Sequence, residues 1–382
     1  MAPRFVLVYL ICVMVAAAQD SVGSPLSAWT PGTLDLHQIA TGRGNAALII
    51  LPDGASMLVD AGAAADGIAE TEPHLAGAPT PGAAIGRYIK RHLKTAKIDY
   101  ALITHFHPDH MGGLADVYKE IPFATLLDRG WPDYSYPAPQ PEALAAYRDF
   151  QKSAKVVMER FKPGLAGQIA PKSTQVEIRN IIVNGEMWRG TRDDTLPLFP
   201  QLSRLTKADY PTENMCSAGF RLQYGPFRYF TGGDLPGAAD PGYPSWTAPE
   251  TSLGQVVGPV DVQVVSQHGS IGEAPDGFLA ATQSRVFVIP SWAPSHPAPD
   301  TLKRIMNSRF PPQKKFVFAT DLRPSAKTVI GQRATQLAGP PGHIVVRVEP
   351  GGAHYTVYVL DNSDARDLIR AVAGPFASDQ QR

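Results

Sequence analysis

Cysteine is nearly absent from this 382-residue chain: there are two, Cys12 and Cys216. Cys12 falls in an N-terminal stretch that reads as a removable signal. Cys216 is then left alone, and an intramolecular disulfide in the mature chain is excluded. An excess of charge of one sign is also missing, since 35 basic residues balance 35 acidic ones. That removes any global attraction to nucleic acid or acidic membranes and leaves open a local basic patch. No second long apolar run follows the N-terminus, so the mature chain has no transmembrane span by sequence. Repeats and true low-complexity segments are missing as well. The length allows one large core or two domains.

What is present begins with a secretory pattern. Arg4 supplies a positive n-region, Phe5 to Val15 a short apolar h-region, and Ala16-Ala17-Ala18 a small-residue cleavage site. A signal peptide over 1–18 and a mature start at Gln19 are expected, with export to a periplasm or beyond. A retained N-terminal anchor is the alternative. Residues 19–31 read as a Ser/Pro/Gly-rich leader. Alternating runs then predict strands at Gly32–Ile39, Ala47–Leu51 and Ser56–Asp60, with turns at Gly42–Ala46 and Pro52–Gly54. Residues 63–80 read as a mobile loop near the site. Ile85–Leu93 has helical spacing, with Arg87, Lys90, Arg91 and Lys94 on a solvated face.

The densest chemistry is Thr104-His105-Phe106-His107-Pro108-Asp109-His110, directly after the apolar run Ala101-Leu102-Ile103. Three of the ten histidines fall within six residues, beside an aspartate. The run reads as a buried strand, which places the cluster at a strand's C-terminal end, where open α/β sheets carry their sites. An extended backbone points His105 and His107 the same way. Asp109 and His110 reach a second point from the turn. Neutral imidazoles with a carboxylate suit a divalent ion such as zinc.

His-x-His-x-Asp-His after a hydrophobic strand resembles the signature of the metallo-β-lactamase superfamily. The resemblance implies that His105 and His107 bind one metal ion, and Asp109 and His110 a second. Gly42-x-Gly44-Asn45-Ala46 followed by Leu58-Val59-Asp60-Ala61-Gly62 is similar, more narrowly, to the ComEC-like hydrolase domain of competence proteins. Asp60 is then a carboxylate supporting the His loop.

Further along, Cys216–Tyr224 and Phe227–Phe230 read as paired strands running into Thr231-Gly232-Gly233-Asp234. This resembles the superfamily element whose aspartate bridges both ions, and Asn214-x-x-Ser217 resembles the ComEC-like element before it. Ser266-Gln267-His268-Gly269-Ser270 resembles the ComEC-like His-His-Gly-Ser motif, with glutamine at its first histidine. His268 is thereby implied as the last ligand of the second ion. The resemblance points to Asn214, Ser270 and Trp292 as substrate contacts, to Asp109 as orienting a hydroxide, and to His296 as an oxyanion contact or proton donor. No histidine stands between His110 and His268. The first ion is left with His105, His107 and Asp234, plus Asn214 or water, which argues against a true β-lactamase.

Other expected elements are helices at Glu142–Phe161, after Glu250, and at Phe278–Gln283, Asp300–Phe310 and Asp364–Val372. Strands are expected at Gln175–Val183, Asp261–Val265, Arg285–Ile289, Lys315–Ala319, His343–Glu349 and His354–Leu360. Residues 130–212 read as an insertion carrying specificity, and 375–382 as a disordered tail. The expectation is a single α/β domain over 32–374, a metallo-β-lactamase-like αββα sandwich. Its implied cofactors are two divalent ions, zinc or manganese, holding a hydroxide that attacks a phosphodiester. A lactone, lactam or ester hydrolase is the alternative, with a pocket from Trp131, Tyr134, Tyr136 and Trp292. A non-catalytic single-metal binding protein is the other. The expected partner is a small-molecule or phosphodiester substrate.

Overall fold

The computed structural model describes residues 20–63, 70–135, 141–171 and 175–378. The signal segment, Tyr136 and residues 64–69 of the expected mobile loop lie outside these.

The chain opens with a meander of β1 (Leu34–Gln38), β2 (Ala47–Ile50) and β3 (Ser56–Val59). Then come α1 (Pro81–His92), β4 (Ile98–Leu102), α2 (Pro108–Met111), α3 (Leu114–Glu120), β5 (Phe123–Asp128), α4 (Pro141–Ser153) and β6 (Val157–Arg160). A second set follows: β7 (Val176–Val183), β8 (Glu186–Trp188), β9 (Thr195–Pro197), β10 (Gly219–Tyr224) and β11 (Phe227–Thr231). Helices and strands alternate next, as α5 (Pro249–Val257), β12 (Val262–Val264), α6 (Asp276–Thr282), β13 (Val286–Ile289), α7 (Pro299–Asn307), β14 (Phe316–Ala319) and α8 (Pro324–Ile330). The chain closes on β15 (His343–Val348), β16 (His354–Leu360) and β17 (Ile369–Ala377). Among the described residues, nine strands form one sheet, β17-β16-β15-β1-β2-β3-β4-β5-β6, and eight a second, β14-β13-β12-β11-β10-β7-β8-β9.

The layering follows from period-two burial. In β2, Ile49 faces the second sheet and packs with Met57, Phe220, Leu222 and Val262. Its neighbours Leu48 and Ile50 face the other way, onto Ile85 and Ile89 of α1 and Val117 of α3. On the far side, Phe287 and Ile289 pack on Leu302 and Ile305 of α7. This is the expected αββα sandwich. α1 starts at a Thr80 cap, whose Oγ1 accepts from Ala83 N at 3.1 Å, with Pro81 in its first turn. None of the described helices is long and apolar enough to cross a membrane.

Three expectations are corrected, two helices and the start of the tail. The helix expected over Glu142–Phe161 ends at Ser153, and Val157–Arg160 becomes an edge strand parallel to β5. Its Val-Met run gains more from the ladder beside β5 than from a further helical turn. The helix expected over Asp364–Val372, and the first residues of the expected tail, form strand β17, antiparallel to β16. Within the 130–212 segment, β6 extends the first sheet and β7 pairs with β10 in the second. The leader is packed down, with Gly23 N donating to Ile369 O at 2.8 Å and Arg347 donating to Ser27 O at 2.9 Å.

Three histidines make a separate group around Tyr88. His37 Nδ1 lies 2.8 Å from Tyr88 Oη, and the His92 and His343 rings lie 4.5 and 4.3 Å from the Tyr88 ring. Burial pushes the His37 pKa down to about 4 and that of His343 to about 3. An unfolded histidine titrates near ~6.5. As pH falls from about 6.5 to 4, the unfolded chain takes up protons that the folded chain refuses, so stability is lost. Buried Glu250, pushed up to about 7, acts in the opposite sense. The His37 contribution is therefore read as a difference. Between pH 7 and 4, wild type should lose about 3 kcal/mol more stability than His37→Gln in urea unfolding. Parallel curves for the two proteins would refute it.

Candidate metal centre

The parallel strands β3, β4, β11 and β12 end on the same edge of the sandwich. Asp60 follows β3, the His loop follows β4, Asp234 follows β11 and His268 follows β12. Asp109, His110, Asp234 and His268 each offer one ligand atom there, and these atoms lie within 4.8 Å of one another. His268 Nε2 lies 3.1 Å from Asp109 Oδ2, 3.4 Å from Asp234 Oδ2 and 3.4 Å from His110 Nε2. His105 adjoins the group, with its Nε2 3.9 Å from Asp234 Oδ2. His107 Nδ1 lies 3.0 Å from His105 Nε2.

Local structure sets each donor. His110 Nδ1 donates to Asp60 Oδ2 at 2.7 Å, which leaves Nε2 as the coordinating nitrogen. His268 Nδ1 donates to the Pro290 carbonyl at 3.0 Å, with the same consequence. Asp60 is fully buried and has a positive φ of 59°. It also accepts from Thr104 N at 2.8 Å, Thr104 Oγ1 at 3.0 Å and Asn45 Nδ2 at 2.9 Å. These bonds hold a backbone conformation that costs on the order of 1–3 kcal/mol in isolation. Gln267 and His268 are likewise left-handed, at φ 45° and 56°. Ser266 Oγ, donating to Glu250 Oε1 at 2.9 Å, ties that turn to α5.

The donor set fits a divalent cation. Burial disfavours a charged His110, but Asp234, Asp60 and Asp109 outweigh it and push its pKa well above the usual range. Burial likewise opposes a charged His268, and Asp234 and Asp109 raise it to about 9. Burial alone would raise Asp234; His110 and His268 hold it well below the carboxylate range. Two opposed imidazole Nε2 atoms among two carboxylates thus attract positive charge, which protons or a metal ion supply. Cys216 is buried and pushed up to about 12 by that burial, so its thiol is no ligand candidate at neutral pH.

Of the remaining expected site residues, His296, Ser270 and Trp292 lie beside this group. His296 stacks on His268 with ring centres 5.1 Å apart. Its Nδ1 accepts from Ala293 N at 3.4 Å, and its Nε2 lies 3.2 Å from Ser270 Oγ. Trp292 sets its edge against His268 at 5.7 Å, and its indole nitrogen is buried without a hydrogen-bond partner. Asn214 sits in a short turn with its Oδ1 buried and likewise unpartnered.

Sequence reasoning missed three features. Glu213 accepts from Phe106 N at 2.7 Å, so it anchors the His loop between its first two histidines. Arg129 pairs with Glu213 through both Nε and Nη2. Thirdly, a cavity of about 500 Å³ opens beside the group, lined by Tyr210, Tyr243 and Trp246 as its aromatics and by Gln267. Gln267 precedes His268 and donates from Nε2 to the Asp234 carbonyl at 3.1 Å. Of the described aromatics expected to build the pocket, none lines this cavity: Tyr134 donates to Asp128 inside the α4 core, Trp131 is exposed, and Trp292 packs against His268. The signal for the real lining was Tyr243-Pro-Ser-Trp246, shortly after Asp234.

Gly44 is a sensitive point. It has φ +77°, and a Cβ there would lie 2.0 Å from the Asp109 carbonyl oxygen. Gly44→Ala should cost about 1–3 kcal/mol in stability and displace Asp109. Thermal unfolding with zinc titration checks this, and wild-type zinc affinity in the variant would refute it.

Residues 40–166 match the family model described as the metallo-beta-lactamase superfamily. The match spans β2 to β6, including Asp60 and the His loop, and stops short of Asp234 and His268. Comparison with curated proteins gives no match. Among solved structures, the chain is similar to a mutant of the CmlA beta-hydroxylase of Streptomyces venezuelae, at 15% identity and a TM-score of 0.41. That alignment covers 77% of this chain and 54% of the other, so the chain spans about half the length of that relative. A metallo hydrolase of the archaeon Ignicoccus hospitalis aligns at 13% identity and a TM-score of 0.40, over 76% of this chain and 95% of the other. A metallo-beta-lactamase of Cronobacter sakazakii aligns at 17% identity and a TM-score of 0.34, over 63% and 79%. Over residues 40–166, with the His loop near their centre, the chain is similar to the metallo-beta-lactamase superfamily.

Proposed function

We propose that this is a metal-dependent hydrolase that cleaves an acyl bond, in an ester, lactone or lactam. The observation that carries the choice of bond is the cavity beside the donor group. Among the described residues, no lysine or arginine lines it, whereas the carboxylates of Asp209 and Asp240 do. A phosphodiester would bring negative charge into that wall and be repelled. The basic face of α1 is committed elsewhere: Arg87 and Lys90 pair with Glu120, and Arg91 with Asp367. An acyl substrate brings no such charge and finds aromatic surface.

In this reading Asp109, His110, Asp234 and His268 hold one divalent ion, zinc or manganese, and His105 and His107 with Asp234 a second. Bound divalent ions there supply a hydroxide near neutral pH and stabilise the oxyanion charge of acyl transfer. Asp60 and the Pro290 carbonyl keep His110 and His268 in the coordinating tautomer. His296 holds the His268 ring by stacking and keeps Ser270 beside it. The Ser217 Oγ contact from Asp234 N at 3.2 Å supports a ComEC-like scaffold. The pattern of residues 1–18 supports export.

The test uses purified protein stripped of metal, reloaded with zinc or manganese, and given p-nitrophenyl acetate, nitrocefin and bis-p-nitrophenyl phosphate. Turnover of the ester or lactam that returns with metal and is lost in His110→Ala is expected. Turnover of the diester alone would overturn the acyl reading. Silence on all three, with one ion bound per chain, would leave a metal-binding protein.

A further inference from the structure

We propose that the cavity beside the donor group binds an ammonium group carried by the substrate, so that the enzyme acts on acyl compounds bearing a protonated amine. The proposal rests on the hydrolase reading above and adds the substrate's charge. Two observations converge on it. Tyr210, Tyr243 and Trp246 line the cavity, and tyrosine and tryptophan faces attract cations through their ring quadrupoles. Asp209 and Asp240 stand on the same walls, and no lysine or arginine among the described residues lines the cavity beside them. Glu273 also lines the cavity, but burial and Glu250 push its pKa well above the usual range, so the negative charge of the walls comes from Asp209 and Asp240.

The location suits the chemistry. Gln267 forms part of the cavity wall and touches the Asp234 backbone, so a group held there lies beside the ligands rather than across the molecule. Ile271, 81% exposed, and Tyr243, 65% exposed, give the cavity an apolar rim. A substrate with an apolar body and one ammonium end matches that sequence of surfaces.

The test compares three probes of one shape: benzylammonium, benzyl alcohol and phenylacetate. Binding is followed by tryptophan fluorescence and calorimetry on the metal-free and the zinc-loaded protein. Benzylammonium should bind at least tenfold tighter than either other probe. That preference should fall at least fivefold in Asp240→Asn and in Trp246→Leu, with circular dichroism confirming that both variants fold. Equal binding of benzyl alcohol, or a preference surviving Asp240→Asn and Trp246→Leu together, would overturn the proposal. Binding to the metal-free protein needs no turnover, so cation preference without ester hydrolysis would overturn only the hydrolase reading. Equal kcat/KM for p-nitrophenyl 6-aminohexanoate and its neutral isostere p-nitrophenyl heptanoate, with turnover intact, would overturn only this one.

Discussion

Asp60→Asn should weaken zinc binding by about 10–100-fold although every proposed ligand side chain stays in place. The Asp60 carboxylate is fully buried and accepts from four donors: Asn45 Nδ2, Thr104 N, Thr104 Oγ1 and His110 Nδ1. Asparagine keeps one acceptor oxygen and turns an NH2 toward donors. At least one buried donor then goes unpaired, at about 1–3 kcal/mol. If His110 Nδ1 loses its acceptor, the ring is free to move its proton to Nε2, the atom that faces His268 and Asp234. Zinc affinity measured against a competing chelator, beside thermal unfolding of the metal-free protein, separates the two effects. A variant that is destabilised yet binds zinc as wild type does would show that Asp60 supports the fold and not the ligand.

The second large effect is expected at Arg129. It is 1% exposed and pairs with Glu213, whose Oε1 accepts from Arg129 Nε at 2.6 Å and from Phe106 N at 2.7 Å. Arg129 Nη1 also donates to Asn184 Oδ1 at 3.1 Å, and its guanidinium lies 4.6 Å over the Phe106 ring. One side chain thus joins the end of β5, the β7–β8 turn and the His loop. Arg129→Met leaves the Glu213 carboxylate without its counter-charge and should cost about 3–5 kcal/mol. Adding Glu213→Gln removes the stranded charge and should restore part of that loss. Urea unfolding of the two single variants and the double variant measures the coupling. A single-variant cost below about 1 kcal/mol would mean that the pair is solvated and not structural.

Both effects sit on residues that the sequence makes visible to different degrees. Asp60 stands in the Leu-Val-Asp-Ala-Gly run, and its supporting role is legible through that run's family resemblance, although His110 lies 50 residues on. Arg129 and Glu213 are 84 residues apart; Glu213 stands beside the Asn214-x-x-Ser217 element, but nothing local in the sequence pairs it with Arg129. The same contrast holds for the edge strands. β1 to β5 follow from local alternation, because each buries both faces between the second sheet and the helices. β6 and β17 do not, since what makes them strands is a partner's unpaired ladder at the sheet edge.

The amino-acid sequence by itself determined the opening strand meander, the donor types in His105 to His110, and their place after a buried strand. Those properties are local: side-chain periodicity and residue chemistry act over a few positions. The tertiary structure alone decided which donors meet. Asp234 and His268 come from the other sheet and join Asp109 and His110 because four parallel strands end at one edge of the sandwich. It also decided the aromatic, acidic lining of the cavity beside them, because Tyr210, Trp246 and Glu273 are distant in sequence and share a wall only once the sheets have packed.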